Sequence, residues 1–241
     1  MSRHKGVYAL QQIHGLINTS PILHVSFNTP SSPFPVILPM IGQMGSFERP
    51  SADNSDPLDL YIHGYVSSRI MNTVRSSEGL PLCVAASHVD GIVLAMSAFS
   101  SSYNYRSAVL FGRATLVEDK AEKEYAMELI TDSVVPGRWK GSRQPPMGSE
   151  LQSTSILRVK IESGSAKIRE GQAGDEKYDM ENQGLLDSTW SGVIPVYQTF
   201  GEPISSTYSK VEFPGYAADY VGESNKNNKE HSITIVAEKT D

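Results

Sequence analysis

The chain has 241 residues, 39% of them apolar and 20% charged, enough for one large domain or two small ones around a sizeable buried core. That composition excludes collagen-like, coiled-coil and mostly disordered chains. A formal net charge of −6 excludes a nucleic-acid surface built on general basicity, which needs clustered Lys and Arg in excess, and leaves room only for a local anion pocket.

A single cysteine, Cys83, rules out an intrachain disulfide and a cysteine-based zinc site, and fits a reducing compartment. The basic start, Met1 to Gly6, runs into Gln11-Gln12-Ile13-His14 rather than the apolar stretch of a leader, and no run of 18 apolar residues occurs. The expectation is a cytoplasmic protein with neither a membrane nor a nucleic-acid partner.

Residues 22–29 and 34–43 read as two strands split by Pro30-Ser31-Ser32-Pro33. From Leu58 to Ser67 the alternation is clean. Leu58, Leu60, Ile62, Gly64 and Val66 share one face, while Asp59, Tyr61, His63, Tyr65 and Ser67 share the other, as in a half-buried strand whose polar face carries His63. At Ser67-Ser68 the period changes. Ile70, Met71 and Val74 recur at helical spacing until Gly79 and Pro81.

Apolar runs at 82–87 and 92–97 flank His88-Val89-Asp90-Gly91, and Asp-Gly in that position predicts a hairpin. Tyr105 to Val117 reads as a long strand. Asp119-Lys120-Ala121-Glu122 has capping-box spacing and opens a helix whose stripe is Ala121, Tyr125, Ala126, Leu129 and Ile130, ending near Pro136-Gly137. Ile156 to Glu162 alternates again, and Gly171 to Asp187 reads as a polar loop. Gly192 to Tyr197 is a last short strand, placed by Pro195 at an edge or against another chain. After Pro214 the chain turns polar. The expected organisation is one domain over residues 1–214 and a mobile tail over 215–241, to which Ile233 to Val236 adds a strand at most. The fold class is mainly β with a few helices.

Dinucleotide fingerprints, Walker loops, nucleophile elbows and His-Glu-x-x-His are absent, and the six histidines lack the short spacings of a metal site. The informative segment is His63-Gly64-Tyr65-Val66-Ser67-Ser68-Arg69. It brings two hydroxyls, helix-start amides and a guanidinium to one strand end, the chemistry of an anion pocket. The plainer alternative is that a serine caps the helix and Arg69 is solvated. Asn104-Tyr105-Arg106-Ser107 offers a second guanidinium, a hydroxyl and an aromatic ring, or is an ordinary strand start.

These segments together resemble the flavin-nucleotide-binding branch of the pyridoxamine 5′-phosphate oxidase-like family, which includes nitroimidazole-resistance proteins. The matching text is Tyr61 to Arg69, Leu82-Cys83-Val84, Val89 to Ala95, Ser97-Ala98-Phe99 and Asn104 to Gly112. Pro136-Gly137-Arg138-Trp139 and Trp190 to Pro195 complete it. The resemblance implies an antiparallel split β-barrel, homodimeric, with FMN and a small-molecule substrate in clefts at the dimer interface. It places the flavin phosphate near Ser67, Ser68, Arg69 and Arg106, with Tyr105 and Ser107 beside it, and runs Met40 and Ile41 along the isoalloxazine edge. It makes Trp139 and Trp190 interface or ring-stacking groups, against core packing as the alternative. His63 matches a histidine near the flavin and is the catalytic candidate, a proton or hydrogen-bond donor to substrate. The stretch from Met44 to Pro57 is longer than relatives need and is expected to reshape or cap the pocket.

The function expected is an FMN-dependent oxidoreductase. Two other readings stand beside it: a cofactor-independent isomerase or cyclase using His63, Tyr65 or Tyr105, and a flavin- or haem-binding module with His63, His88 or His24 as axial ligand.

Overall fold

The strand expected over residues 34–43 breaks at Ile41 in the computed structural model, which describes residues 6–237. On one side of the break β2 (Val36–Met40) pairs with β1 (Leu23–Phe27); on the other β3 (Gly42–Gly45) pairs with β4 (Asp59–Tyr65). The remaining strands are β5 (Leu80–Leu94), β6 (Ser102–Leu116), β7 (Thr154–Arg169) and β8 (Gly192–Pro195). The order β2-β1-β5-β6-β7-β4-β3 puts β2 and β3 at opposite ends of the path, so the single residue Ile41 closes an antiparallel barrel. The helices are α1 (Leu10–Thr19), α2 (Arg69–Arg75), α3 (Lys120–Val134), α4 (Gly148–Ser153), α5 (Lys177–Met180), α6 (Gln183–Leu186) and α7 (Gly215–Thr234).

Contacts divide the chain into two units. The barrel unit comprises residues 6–87 and 107–166; the second unit comprises 88–106 and 167–237, and β5, β6 and β7 run from one into the other. The barrel core gathers Leu23, Val25, Leu60, Ile62, Ile70 and Leu157 with Ile13, Leu16 and Ile17 of α1. Spacings of three and four put these α1 residues on one face, an amphipathic signal within a segment with no side-chain cap. The sequence reading did not include this helix.

Tyr61 departs from the expected polar face of β4. It is buried with Ile156, Ala126 and Ile130, because α3 covers that side of the sheet. Its hydroxyl donates to Glu122 Oε1 at 2.9 Å, and Arg158 donates to the same oxygen at 3.1 Å. The predicted cap of α3 forms: Asp119 Oδ1 accepts from Glu122 N–H at 2.8 Å.

The Asp90-Gly91 hairpin does not form; β5 runs straight through it. Gly91 sits opposite Pro195 of β8, and Asp90 is held by Arg106 through Nε and Nη2, both at 2.8 Å. Lateral pairing and a buried carboxylate outweigh the turn propensity of Asp-Gly. The expected tail is also different. Residues 215–234 form α7 rather than a mobile segment or a strand; residues 238–241 of that tail lie outside the described residues. The loop from Ser46 to Pro57 folds on itself and onto α1: Arg49 donates to Asp56 Oδ1 and Pro57 O, and Asn18 donates to Asn54 Oδ1. Gly171 to Asp187 contains the short helices α5 and α6.

The second unit has a thin, polar interior. Asn104 is fully buried, donating to Gly171 O at 2.9 Å and accepting from Arg169 at 2.7 Å. Asp175 accepts from Met96 N–H and from Ser191 Oγ. No helix among the described residues is long and apolar enough to cross a membrane.

Candidate functional site

β4 delivers its C-terminal end directly into α2, as the change of period predicts, with Ile70, Met71 and Val74 buried beneath. Ser68 occupies the N-cap position but makes no capping hydrogen bond. Its Oγ is buried and partnerless among the described residues. The plain capping role therefore does not account for Ser68, whose hydroxyl is an unspent donor and acceptor. Arg69 is exposed, with a guanidinium unpaired among the described residues, and Ser67 is exposed beside it.

A Cβ built on Gly64 would lie 3.6 Å from Ser68 Oγ, 3.6 Å from Met40 Cε and 3.0 Å from Met71 Cε. Gly64 thus marks a close approach of Met40, Met71 and Ser68 to the β4 backbone, which a side chain there would crowd. Sequence reasoning passed over Gly64 and Met71; the signal was a glycine inside a strand, which marks a close approach. Ile41, at the barrel closure, packs toward Tyr61 and Ile156 instead.

Strand alternation turns His63 to the face opposite Gly64. Its ring is half-buried, with Nδ1 sealed from solvent and without a partner among the described residues. Burial holds the His63 imidazole below its ordinary pKa, so the ring is neutral at pH 7. His14, buried in α1 with Nδ1 3.0 Å from Asn54 O, is shifted the same way, chiefly by burial. Both fold with a lower affinity for protons than they have in the unfolded chain. Stability is therefore whole above the unfolded value near 6.5 and falls as the pH drops through it toward the folded value. The urea midpoint is expected to fall between about pH 7.5 and about pH 5.5, and His14→Gln and His63→Gln each to flatten part of that slope; a slope unchanged in both variants contradicts this assignment.

The other expected residues have these surroundings. Tyr105 and Arg106 belong to the second unit, where Lys167 Nζ sits 5.5 Å from the Tyr105 ring centroid and Asp90 takes two nitrogens of Arg106. Ser107 falls at the start of the barrel unit's share of β6. Trp139 is half-buried, its main-chain N–H donating to Asp132 Oδ1 at 2.6 Å. Trp190 is 61% exposed and lies over Gly192, where a Cβ would come within 2.7 Å of the ring. Neither tryptophan packs in the core. His24 is exposed. No group of three His, Cys, Asp or Glu among the described residues is arranged to hold a metal ion.

Curated proteins give no match. Among solved structures, the FAD and heme binding protein from Mycobacterium smegmatis is 28% identical with a TM-score of 0.74, covering 90% of this chain and 97% of that one. The flavocytochrome Anf3 from Azotobacter vinelandii shares the fold at 24% identity and a TM-score of 0.74, covering 91% of this chain and 94% of that one. A Bacteroides thetaiotaomicron protein named for 5-nitroimidazole antibiotic resistance shares it more distantly, at 16% identity and a TM-score of 0.52, over 68% of this chain and 86% of that one. A family model described as pyridoxamine 5′-phosphate oxidase matches residues 10–168, well over half of the sequence and nearly all of the barrel unit, and on that match the chain belongs to the pyridoxamine 5′-phosphate oxidase family.

Proposed function

We propose that this protein is a homodimeric flavin-binding oxidoreductase acting on a small organic substrate, with the flavin phosphate at Ser67, Ser68 and Arg69. The observation that carries the reading is the buried, partnerless Ser68 Oγ in the close approach of Gly64 to Met40, next to the unpaired Arg69. These residues fit the phosphate of a flavin nucleotide, with a hydroxyl and a guanidinium as donors, and Met40 offers a polarisable apolar neighbour for its ring. A bound flavin supplies the redox chemistry. The chain's part would be to fix it: Arg69 would neutralise phosphate charge, Ser68 would donate to a phosphate oxygen, and Met40 would lie beside the ring. FMN is the flavin implied by the sequence resemblance, whereas the name of the 28% identical relative specifies FAD.

The test is titration of purified protein with FMN and with FAD, followed by visible absorbance and calorimetry. Losing a hydrogen bond to a charged phosphate costs about 2 kcal/mol, so Ser68→Ala and Arg69→Ala are each expected to weaken flavin binding about 30-fold. Absence of binding by either flavin, or full affinity in both variants, refutes the reading.

One observation favours a second ligand. The 28% identical protein, matched over 97% of its length, is named for binding heme as well as FAD, and His63 offers a neutral, half-buried imidazole on the face of β4 away from Gly64. Haem takes such an imidazole as axial ligand. Titration with haem is expected to give a Soret band that His63→Ala loses and Ser68→Ala keeps; a band indifferent to His63→Ala removes this assignment.

A further inference from the structure

Three neighbouring strands of the barrel wall turn polar side chains away from the core at one place. On β4 these are Asp59 and Tyr61, on β7 Arg158 and Lys160, and on β6 Arg113 and Thr115; the residues between them, Leu60, Val159 and Ala114, are fully buried. With Phe47 and Glu48 of the loop after β3, and Glu78-Gly79 before β5, they line a cavity of about 400 Å³. That volume lies within the roughly 300–1,000 Å³ of small-molecule sites. Every lining residue belongs to the barrel unit.

The charges of this cavity balance without pairing among themselves. Arg113, Arg158 and Lys160 stand against Glu48, Asp59 and Glu78. Two of the cations spend a nitrogen on carboxylates that do not line the cavity: Arg113 Nε donates to Glu162 Oε1 at 2.9 Å, and Arg158 Nη1 to Glu122 Oε1 at 3.1 Å. Half-buried Asp59 and exposed Lys160 differ. The register that sets Leu60 opposite Val159 puts them side by side on β4 and β7, where opposite charges ordinarily close into a cross-strand pair. They stay apart, and neither side chain makes a hydrogen bond or ion pair among the described residues. Burial holds the Asp59 carboxyl above its ordinary pKa, against the opposing pull of Arg158 and Lys160. A carboxylate so placed, with its acceptor capacity unspent, gains from a cationic group brought to it.

We propose that this cavity binds a small zwitterion of the α-amino acid class, its ammonium on Asp59 and its carboxylate on Lys160. The balance of charge selects the class. A plain anion meets Asp59, Glu48 and Glu78, and a plain cation meets the two arginines and Lys160, whereas a molecule carrying both signs finds a partner for each. The spacing agrees, because adjacent strands lie about 5 Å apart and groups on a single carbon reach side chains on both. Phe47, held against Tyr125 at 5.7 Å between ring centroids, gives an apolar wall for the ligand's side chain. The cavity lies at the start of β4 and Ser68 beyond its end, about 20 Å along the strand, so this site is separate from the one proposed for flavin.

The experiment is calorimetry of the full chain with glycine, L-leucine and L-glutamine, then with the α-amide and the N-acetyl form of each one that binds. The amide lacks the charged carboxylate and the N-acetyl form lacks the ammonium. At least one free amino acid is expected to bind, and either cap to weaken it at least about tenfold, the loss of one charge-assisted hydrogen bond. These ligands need no variant. Lys160→Met should weaken the free amino acid by a similar factor and abolish discrimination against the amide, while Asp59→Asn does the same for the N-acetyl form; urea midpoints confirm that both variants fold. Affinity should be the same with and without FMN or FAD, so a missing flavin site leaves this one standing. Binding by none of the three, equal binding of the capped forms, unchanged affinity in both folded variants, or competition by flavin or by inorganic phosphate overturns the proposal.

Discussion

Asp90→Ala is expected to lower the unfolding free energy by about 3 kcal/mol, the lower end of the range for breaking a buried ion pair. The Asp90 side chain is only 6% exposed, and Arg106 grips both of its oxygens at 2.8 Å. His231 of α7 approaches the same carboxylate, Nε2 to Oδ2 at 3.7 Å. Removing the carboxylate leaves a guanidinium with reduced access to water and takes from α7 its neighbour on β5. With a urea slope of about 3 kcal/mol/M, the midpoint moves down by about 1 M. Replacing both partners, as in the double variant D90L/R106M, should recover most of the loss, because the penalty comes from the charge left behind rather than from the pair itself. A midpoint shift in Asp90→Ala of less than about 0.3 M would show that the pair is not needed. The same geometry bears on function. Two nitrogens of Arg106 are already committed, which leaves the guanidinium of Arg69 as the free one of the two named for a phosphate.

Gly112→Ala should cost at least as much. A Cβ at Gly112 would stand 2.3 Å from Lys160 O and 3.0 Å from Val159 Cγ1. The first of these is main chain in the neighbouring strand, which cannot swing aside as a side-chain tip can. β6 and β7 must separate locally, stretching hydrogen bonds in the middle of the barrel wall beside fully buried Val159. Overpacking costs of 1–3 kcal/mol refer to cores that repack around side chains; against backbone the loss is expected to exceed about 3 kcal/mol and to appear as insoluble expression or a midpoint too low to measure. Gly148→Ala is the matched control, since nothing lies within 4 Å of its Cβ position. Equal stability of the two variants would refute the argument.

Local signals carried much of this structure. The change of period at Ser67-Ser68 located the β4–α2 junction, and Asp119 with Glu122 located the start of α3, because caps and periodicity are written within a few residues. What failed depended on partners distant in sequence. Asp90-Gly91 has every local mark of a turn, and pairing with β8 and the grip of Arg106 hold it extended. Tyr61 looks polar-facing until α3 and Glu122 cover it. In α7 the stretch Ser224 to Glu230 is too polar to announce a helix, and Asn225 and Asn228, which read as disorder, are its anchors to residues 198–200. At the candidate site the meeting of Ser68 and Arg69 at the β4–α2 junction was legible. The contribution of Gly64 was not, since what matters there is the Met40 and Met71 side chains around an absent one.

The closure of the barrel also sets an order of events in synthesis. β4 pairs with β3 across the loop 46–58, but its other neighbour is β7, where Leu60 faces Val159. A chain emerging from the ribosome at 5–20 residues per second carries one open edge of β4 for several seconds before β7 arrives. That edge holds Leu60, Tyr61 and Ile62, all buried in the finished protein. Such a row of sticky, unpaired strand is a template for association between nascent chains. Yield at high expression should therefore depend on translation speed and on chaperones that shield β4 until β7 joins it, even for variants whose final stability is unchanged.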